Sequence, residues 1–364
     1  MDTMPKLVIF AVQLYIIMKL IFTVLMGFAF FSAGYAQNQQ YRASIVGFYN
    51  LENLFDTVDN PQINDEEFLP DGIKGYNTRI YQDKLNRLAT VISQMGTEIT
   101  PDGMAILGVS EVENDTVLND LIHTTPLKNR SWKMVHYNSP DIRGVDVALL
   151  YNPKYFSVLH SESVFVKLPS GSKSSYFTRD VLYVKGLLDG DTVHVLVNHW
   201  PSRSGGEERS MPARAAAASV CKRIIDSVMQ INPDSKLLLM GDLNDDPVSP
   251  SLTKTLGAKS KVKSVGRSDI YNPWVDMYKR GIGTSAYQDA WGLFDQVLLS
   301  QAWLPKDRNG YFFHKAVIFN KDFMIQKTGK YKGYSKRTWN GNIYNYGYSD
   351  HFPVYLIMLK TVIQ

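Results

Sequence analysis

Residues 236–247 read KLLLMGDLNDDP, a short apolar run followed directly by a dense polar cluster. The apolar residues up to Met240 predict a buried strand. Asp242 and Asn244 follow the strand, two residues apart, after the glycine at position 241. Carboxylate and amide oxygens at the end of a buried strand can hold a hard cation and a reacting water. This stretch therefore predicts a functional site at the rim of a β-sheet.

The composition is that of a globular protein with a sizeable core. The chain has 364 residues, of which 45% are hydrophobic and 20% charged, with a net charge of +4. No Gly/Ser/Pro-rich linker interrupts residues 40–360, so residues 37–364 are expected to form a single domain. Cys221 is the only cysteine, which excludes an intrachain disulfide, and we expect it to fill the core beneath a helix.

The first 36 residues are expected to be a secretory signal peptide. Lys19 precedes the apolar residues 20–31, and a small-residue exit ends at Ala36, after which we expect cleavage. Met18 fits the start of such a peptide better than Met1. An uncleaved membrane anchor is the alternative, because the apolar run is long enough to span a bilayer. The leader predicts export, to the periplasm or beyond. No stable membrane partner is expected after cleavage, and a monomer is favoured.

The apolar pattern predicts strands separated by only two clear helices. The helices are expected at 79–95 and 211–229, with a long polar loop at 56–76. The expected strands are 43–49, 104–109, 145–151, 181–188, 192–198, 236–240, 293–299 and 352–359. Two helices are too few for a crossover helix after every strand. The pattern therefore favours a two-sheet sandwich with helices outside.

Polar clusters recur at the predicted strand ends. They are the residues 50–53, 110–114, 141–146, 198–201, 242–244 and 349–351, together with Asp295 at the start of its strand. Taken singly, most have ordinary alternatives, such as a turn-forming Asn50 or a solvated Glu111. Asp295 stands among apolar residues and needs a partner, for which a histidine is the natural choice.

Together these clusters contain what metal-assisted phosphodiester hydrolysis needs. Carboxylate and amide oxygens suit Mg²⁺, and Mn²⁺ or Ca²⁺ are the alternatives. An acid or a histidine can orient the attacking water, and a cationic donor can stabilise the transition state. The single cysteine and the absence of His-Glu-x-x-His from the sequence argue against a zinc site.

Seven segments resemble the endonuclease/exonuclease/phosphatase superfamily, the group of pancreatic deoxyribonuclease, abasic-site endonucleases, neutral sphingomyelinases and inositol polyphosphate 5-phosphatases. They are YNLENLFD (49–56), GVSEVEN (108–114), RGVDVALLY (143–151), NHWPSR (198–203), GDLN (241–244), FDQ (294–296) and SDHFPV (349–354). The resemblance covers residues 43–358 in the family's order. It implies an α+β fold of the DNase I-like type, in which two mixed β-sheets pack face to face with helices outside, in four layers.

The resemblance also implies roles for the matching residues. Glu111 would be the principal metal ligand, and Asn50, Asp242 and Asp350 would complete the metal set. Asp242 would also orient or deprotonate the attacking water. His351 would contact the scissile phosphate, with Asp295 fixing its tautomer. The remaining residues would face the substrate phosphate or the leaving group: Arg143, Asn198, His199 and Asn244.

The sequence does not decide the substrate. Basic and aromatic residues interleave in residues 327–348, where Lys330, Lys332, Lys336 and Arg337 could meet phosphates and Tyr334 and Trp339 could stack on bases. The alternative is a hairpin whose rings pad one sheet. An exported nuclease acting on DNA or RNA is the first hypothesis, and a phosphodiesterase or phosphatase acting on a lipid head group or inositol phosphate is the second. A non-catalytic binding module is the third, against which the intact polar clusters argue.

Overall fold

The computed structural model describes residues 6–32, 40–169, 177–304 and 310–362. The chain divides into a small unit, residues 1–41 with 361–364, and a large unit, residues 42–360. The small unit contains helix α1 (Lys6–Ser32), and the expected cleavage position after Ala36 lies outside the described residues. Within the described part of the chain, no helix combines the length and apolar character needed to cross a bilayer.

The strands and the remaining helices follow in chain order. The strands are β1 (Tyr41–Leu54), β2 (Met104–Val112), β3 (Lys133–His136), β4 (Asp146–Tyr151), β5 (Phe156–Val164), β6 (Val181–Leu188), β7 (Asp191–His199), β8 (Lys236–Asp242), β9 (Ile270–Tyr271), β10 (Ser285–Tyr287), β11 (Ala290–Gly292), β12 (Asp295–Ser300), β13 (Phe312–Ile318), β14 (Trp339–Asn340), β15 (Ile343–Tyr344) and β16 (Val354–Thr361). The helices are α2 (Thr78–Gln94), α3 (Asp115–Ile122), α4 (Glu207–Ile231) and α5 (Val275–Lys279).

Two six-stranded mixed sheets form the centre of the large unit. The first has the order β13-β16-β1-β2-β4-β3, and the second has the order β5-β6-β7-β8-β12-β9. Strands β1 and β2 run parallel, as do β7 and β8, whereas β2–β4 and β8–β12 are antiparallel. Two short hairpins, β10–β11 and β14–β15, stand apart from the sheets.

Apolar side chains from the facing sides of the two sheets form the central core. Phe48 and Ile106 of the first sheet share one buried cluster with Val197 and Met240 of the second. Helix α2 packs on the outer side of the first sheet and α4 on the outer side of the second, each through its own apolar cluster. The α+β sandwich of four layers expected from the resemblance is therefore confirmed.

Two glycines permit close contact between neighbouring strands and between the two sheets. A Cβ atom at Gly241 would lie 2.3 Å from the carbonyl oxygen of Asn198, and one at Gly108 would lie 2.6 Å from Met240 Sδ. Both distances are shorter than a real Cβ can tolerate, so these positions need glycine for contact between neighbouring strands and facing sheets. Gly241 thereby fixes the position of Asp242, the next residue.

Candidate active site

Strand register places three polar residues side by side in the second sheet. His199 of β7 is the register partner of Asp242 in β8, and Asp242 is the partner of Asp295 in β12. The three residues sit at the same end of adjacent strands. All three are buried, with Asp295 fully so.

The first sheet supplies the facing half through an irregularity in β2. Ser110 pairs with Val147 and Val112 with Asp146, so Glu111 between them has no partner in β4. Glu111 has a φ of +59°, in the left-handed region, and so has Asn53 at +57°. Such backbone costs about 1–3 kcal/mol and is typical of functional sites. The Asn53 N–H donates to Glu111 Oε2 at 3.0 Å, which fixes the carboxylate.

Asn50 links the two sheets at this point. Its Nδ2 lies 3.1 Å from both Glu111 Oε1 and Asp242 Oδ2 and donates to each. Its Oδ1 accepts the Glu52 N–H at 2.8 Å. The amide therefore presents its nitrogen to the carboxylates, and an N–H group does not coordinate a cation. In this arrangement Asn50 positions two carboxylates, and its expected role as a metal ligand stays a prediction.

Two groups of donor atoms are close enough to hold a cation. Glu111, His199 and Asp242 form one group, and Asp242, Asp295 and His351 form the other, with the donor atoms of each group within 4.8 Å of one another. His199 Nε2 lies 3.7 Å from Glu111 Oε1 and 3.6 Å from Asp242 Oδ2. Asp242 belongs to both groups and is the centre of the site.

Asp350 lies at the edge of this arrangement rather than inside it. Its Oδ1 is 4.0 Å from His351 Nε2, and its Oδ2 is 3.6 Å from Arg337 Nη2. It belongs to neither group of converging donors found in the described residues. The expected metal set is therefore brought together at Glu111 and Asp242, with Asp350 adjoining it through His351.

His351 and Asp295 form a tight buried pair. His351 Nδ1 lies 2.6 Å from Asp295 Oδ2, which makes Nδ1 the donor and leaves Nε2 facing Asp242 at 3.9 Å. Burial lowers the pKa of His351, but the charges of Asp295 and Asp242 outweigh it and raise this pKa well above its ordinary value. His351 is therefore a cation at neutral pH.

The pKa values of Asp242 and His199 are shifted as well. Burial raises the pKa of Asp242 to about 7, against the opposing charge of His351 and together with the charges of Asp295 and Glu111. Burial lowers the pKa of His199, and the charges of Arg179 and Arg143 lower it further. His199 is thus a neutral imidazole, the form that can ligate a metal.

The donor set fits a divalent cation. Glu111, Asp242 and Asp295 bring three carboxylates together, and His351 is the only charged histidine against them. His199 Nδ1 is buried and has no hydrogen-bond partner among the described residues. An excess of buried negative charge beside a neutral imidazole is what a cation would compensate. Carboxylate oxygens suit Mg²⁺, Mn²⁺ or Ca²⁺.

Asn198 does not reach the site, contrary to its expected contact with substrate phosphate. Successive side chains of a strand point to opposite faces, so Asn198 turns away where His199 turns in. Its Nδ2 donates to the carbonyls of Leu196 and Met240, and its Oδ1 accepts from Trp200 Nε1 and the Cys221 thiol. Asn198 is a buried structural residue.

Asn244 and Arg143 lie close to the site but are partly committed. The Asn244 backbone N–H donates to Asp242 Oδ1 at 3.0 Å, and its Nδ2 donates to the Trp200 carbonyl at 2.9 Å, which leaves one amide N–H. Arg143 pairs with Asp141 through Nε and Nη2, and its side chain is half exposed. Its charge nevertheless acts on His199, as the lowered pKa of that residue shows.

Sequence reasoning missed two buried cations around the site, Arg179 and Lys84. Arg179 donates to the carbonyls of His199 and Trp200 and to Asp141. Lys84 of α2 donates to the carbonyls of Leu51 and Glu52, next to the strand end that carries Asn50. Lys84 falls on the apolar face of its predicted helix, three residues after Tyr81 and four before Leu88, and this unusual position was the available signal.

The basic and aromatic segment 327–348 was expected either to contact a substrate or to pad one sheet, and it fits each role in part. Trp339 is buried against Tyr76 and Tyr344 and cannot stack on a base, so for this residue the padding alternative holds. Lys330 is exposed, and Arg337 reaches Asp350. Part of the segment therefore borders the site.

Comparison with known proteins identifies the relatives of this arrangement. A model described as "Endonuclease/Exonuclease/phosphatase family" matches residues 45–360. No curated protein matches the sequence.

Solved structures match over most of the chain. An endonuclease/exonuclease/phosphatase family protein from Bacteroides thetaiotaomicron is 13% identical, with 89% of this chain and 100% of that chain covered and a TM-score of 0.53. A mannosyl-6-phosphatase of the same organism is 14% identical, with coverage of 86% and 99% and a TM-score of 0.53. D. rerio TDP2 complexed with single strand DNA product is 11% identical, with coverage of 87% and 98% and a TM-score of 0.51. At these identities the likeness shows the fold alone.

Proposed function

The chain belongs to the endonuclease/exonuclease/phosphatase family, and on that basis we propose that it is a Mg²⁺-dependent phosphodiester hydrolase, specifically an exported nuclease that cleaves DNA or RNA. The observation that carries the proposal is the convergence of Glu111, His199 and Asp242 from two sheets, next to the buried His351–Asp295 pair. No structural role explains so many charged groups in one buried place.

Glu111 and Asp242 would hold the cation through carboxylate oxygens, the ligands that Mg²⁺ prefers, with Asn50 fixing both and His199 beside them. When bound, Mg²⁺ would neutralise charge that develops on the phosphoryl group. Asp242, which lies between the cation site and His351, orients the attacking water and accepts its proton. His351, held as a cation by Asp295, donates from Nε2 to a phosphate oxygen. The second amide N–H of Asn244 and the guanidinium of Arg143 are further donors to the phosphate.

Export rests on the leader alone. A basic residue, an apolar run and a small-residue exit at Ala36 support a cleaved signal peptide. Expression of the full chain in bacteria, followed by fractionation and N-terminal sequencing, tests this part of the proposal. We expect an N-terminus at Gln37 in the exported fraction, and an intact leader in the membrane fraction would contradict it.

A small phosphoester is the second candidate substrate, and a specific cavity favours it. The cavity has a volume of about 390 Å³ and adjoins the loop that carries Arg143. Seven of its thirteen lining residues carry an amide or a carboxyl group: Asn60, Gln62, Glu113, Asn114, Asn138, Asp141 and Asp146. Such groups suit the hydroxyls of a sugar or an inositol better than a base.

One assay series tests both candidates. The purified chain is incubated with plasmid DNA, RNA, sphingomyelin, inositol phosphates and sugar phosphates, with Mg²⁺ or with chelator. We expect metal-dependent cleavage of nucleic acid, and turnover of small phosphoesters alone would reverse the order of the candidates. His351→Ala is expected to lower kcat by about 10²–10⁴-fold, whereas His314→Ala, an exposed histidine on β13, is not. Turnover of no phosphoester would contradict the proposal.

A further inference from the structure

A small pocket with aromatic and cationic walls lies beside the candidate active site. Its volume is about 250 Å³. It forms between the β10–β11 hairpin and the segment 327–348. The lining residues that matter here are Tyr287, Asp289, Lys330, Tyr331, Tyr334 and Arg337.

One wall is attached to the catalytic residues through Ser335 and Arg337. The Ser335 hydroxyl donates to the backbone carbonyl of Asp350 at 2.6 Å. Arg337 Nη2 lies 3.6 Å from Asp350 Oδ2, and the other oxygen of that carboxylate is 4.0 Å from His351 Nε2. The guanidinium in the pocket wall is therefore one side chain away from the histidine that is proposed to meet the phosphate.

The other wall is attached through Thr284, the residue before β10. Its carbonyl accepts the Phe352 N–H at 2.8 Å, and its hydroxyl accepts the Asp295 N–H at 3.3 Å. The ring of Trp291 in β11 stacks on Phe352, with centroids 6.0 Å apart. Both walls are thus fixed to the residues that flank or support His351.

Hydrogen bonds inside the pocket hold one tyrosine in place and leave another exposed. The Tyr334 hydroxyl donates to Asp289 Oδ1 at 2.6 Å and accepts the Asp289 N–H at 2.7 Å. The Arg337 guanidinium lies over the Tyr331 ring, 5.5 Å from its centroid. Tyr287 stands at the mouth of the pocket with 76% of its surface exposed. An exposed ring beside a built pocket is a stacking surface.

The chemistry of the pocket selects its occupant. Two cations, Lys330 and Arg337, face one carboxylate, Asp289, so the walls carry a net positive charge. The volume is below the roughly 300–1,000 Å³ of sites for drug-sized ligands, which suits a single planar ring system. We propose that this pocket binds the nucleobase of the nucleotide that flanks the scissile phosphate, with stacking on Tyr287. This inference rests on the proposed function and names nucleotides as its substrate class.

Equilibrium binding tests the inference without any need for turnover. Calorimetric titration of the full chain with AMP and with ribose 5-phosphate, in Mg²⁺, measures the contribution of the base. We expect AMP to bind more tightly, and Tyr287→Ala to weaken AMP at least about fivefold, the lower end of the range for base stacking. Tyr287→Trp keeps AMP binding because it keeps a ring. Tyr346→Ala, which removes an exposed tyrosine of the segment 327–348 that does not line the pocket, should leave AMP binding unchanged.

Each other outcome overturns the inference. Equal affinity for AMP and ribose 5-phosphate would show that no base is held. Equal weakening of both ligands by Tyr287→Ala would assign the tyrosine to the sugar or the phosphate. The turnover assays separate the pocket inference from the proposed function. An active enzyme that binds AMP and ribose 5-phosphate equally contradicts only the pocket inference. An inactive chain that binds AMP more tightly contradicts only the proposed hydrolase function.

Discussion

At the scale of single residues, the site is a set of ionisable groups whose pKa values are shifted far from their ordinary values. Asp295 and Asp242 raise the pKa of His351, while burial raises the pKa of Asp242 to about 7. A cationic donor and a carboxylate of unusually high basicity therefore stand 3.9 Å apart. This is the arrangement expected where one group stabilises phosphate and another accepts a proton.

Asp295→Asn tests the source of the His351 charge. The variant keeps an oxygen that can accept from Nδ1 but removes the negative charge, so the pKa of His351 should fall. Because activity is expected to need protonated His351, the alkaline limb of the kcat/KM profile should move to lower pH, by about 1–3 pH units. Activity at pH 8 then falls more than activity at pH 6.

The matched control for this change is Asp226→Asn, an exposed carboxylate on α4 that pairs with Lys222. Its profile should coincide with that of the parent. An unmoved alkaline limb in Asp295→Asn would show that His351 is not the group that titrates there.

At the scale of elements, helix α2 anchors the segment that borders the site. Lys84 Nζ donates to the carbonyls of Leu51 and Glu52 and to Thr338 Oγ1, and it is fully buried. The Glu52 carboxylate accepts the Thr338 N–H at 2.6 Å. One lysine and one glutamate thus tie α2, the end of β1 and residues 327–348 together.

Lys84→Met should destabilise the protein strongly. The variant leaves the buried carbonyls of Leu51 and Glu52 and the Thr338 hydroxyl without their donor, and each unsatisfied buried group costs about 1–3 kcal/mol. Equilibrium urea unfolding measures this loss. Arg79→Met, an exposed change on the same helix, should stay within about 0.5 kcal/mol of the parent. The charge of Lys84 also lowers the pKa of Glu52, so adding Glu52→Gln to Lys84→Met should restore part of the loss. No restoration would contradict an interaction between the two charges.

His136 links α3 to the edge of the first sheet. Its Nδ1 lies 2.6 Å from Asp115 Oδ1 in the first turn of α3, and its Nε2 lies 3.1 Å from Asp146 Oδ2 in β4. Burial lowers the pKa of His136, but the bonds to Asp146 and Asp115 raise it more, to a net value above 6.5. Asp115 is largely exposed, so water screens its part of the effect.

The raised pKa gives this link a defined pH dependence. Its stabilisation is fully present below the unfolded pKa of about 6.5 and is lost as pH rises through the higher folded value. Urea unfolding of the parent and of His136→Gln at pH 5.5, 7 and 8.5 should show a difference of about 1–2 kcal/mol at the lowest pH that shrinks at the highest. A difference that does not change with pH would mean that His136 is neutral.

The sequence predicted the elements whose pattern is local and missed those that depend on tertiary contacts. Helix α2 was expected at 79–95 and lies at Thr78–Gln94, since its apolar face repeats at helical spacing. The eight-residue α3 and the edge strand β5 were missed, the first because it is short and the second because half of its residues face solvent. Asn198 was misassigned because a one-residue step along β7 reverses the face.

The same distinction between local pattern and tertiary contacts holds for the site residues. Asp295 was expected to pair with a histidine because a carboxylate in an apolar strand requires a partner, and the structure supplies His351. The bulge that turns Glu111 inward and the orientation of the Asn50 amide depend on the facing strands and could not be read from spacing. Arg179, Glu52 and Lys84 owe their burial to segments far away in the sequence.

At the scale of the whole molecule, the site lies across the interface of the two sheets. Glu111 and Asn50 come from the first sheet, and His199, Asp242 and Asp295 from the second. The sheets meet through an apolar core that ends at these charges. A cation that bridges them would act as a crosslink between halves of the sandwich. Its binding free energy would then add to the free energy of unfolding, because the unfolded chain has no such site.

Thermal unfolding with and without Mg²⁺ therefore tests the site independently of any substrate. The parent should gain about 2.7 kcal/mol at a Mg²⁺ concentration of 100 Kd, whereas Glu111→Gln should gain little because a ligand charge is gone. In chelator, Glu111→Gln loses one of two hydrogen bonds, because its single amide oxygen replaces the two oxygens that accept from the Asn53 N–H and from Asn50 Nδ2. The Mg²⁺-induced gain of each protein is therefore measured against its own stability in chelator. Glu208→Gln, an exposed change on α4, should follow the parent in both conditions. Equal Mg²⁺-induced gains in the parent and in Glu111→Gln would place the cation elsewhere.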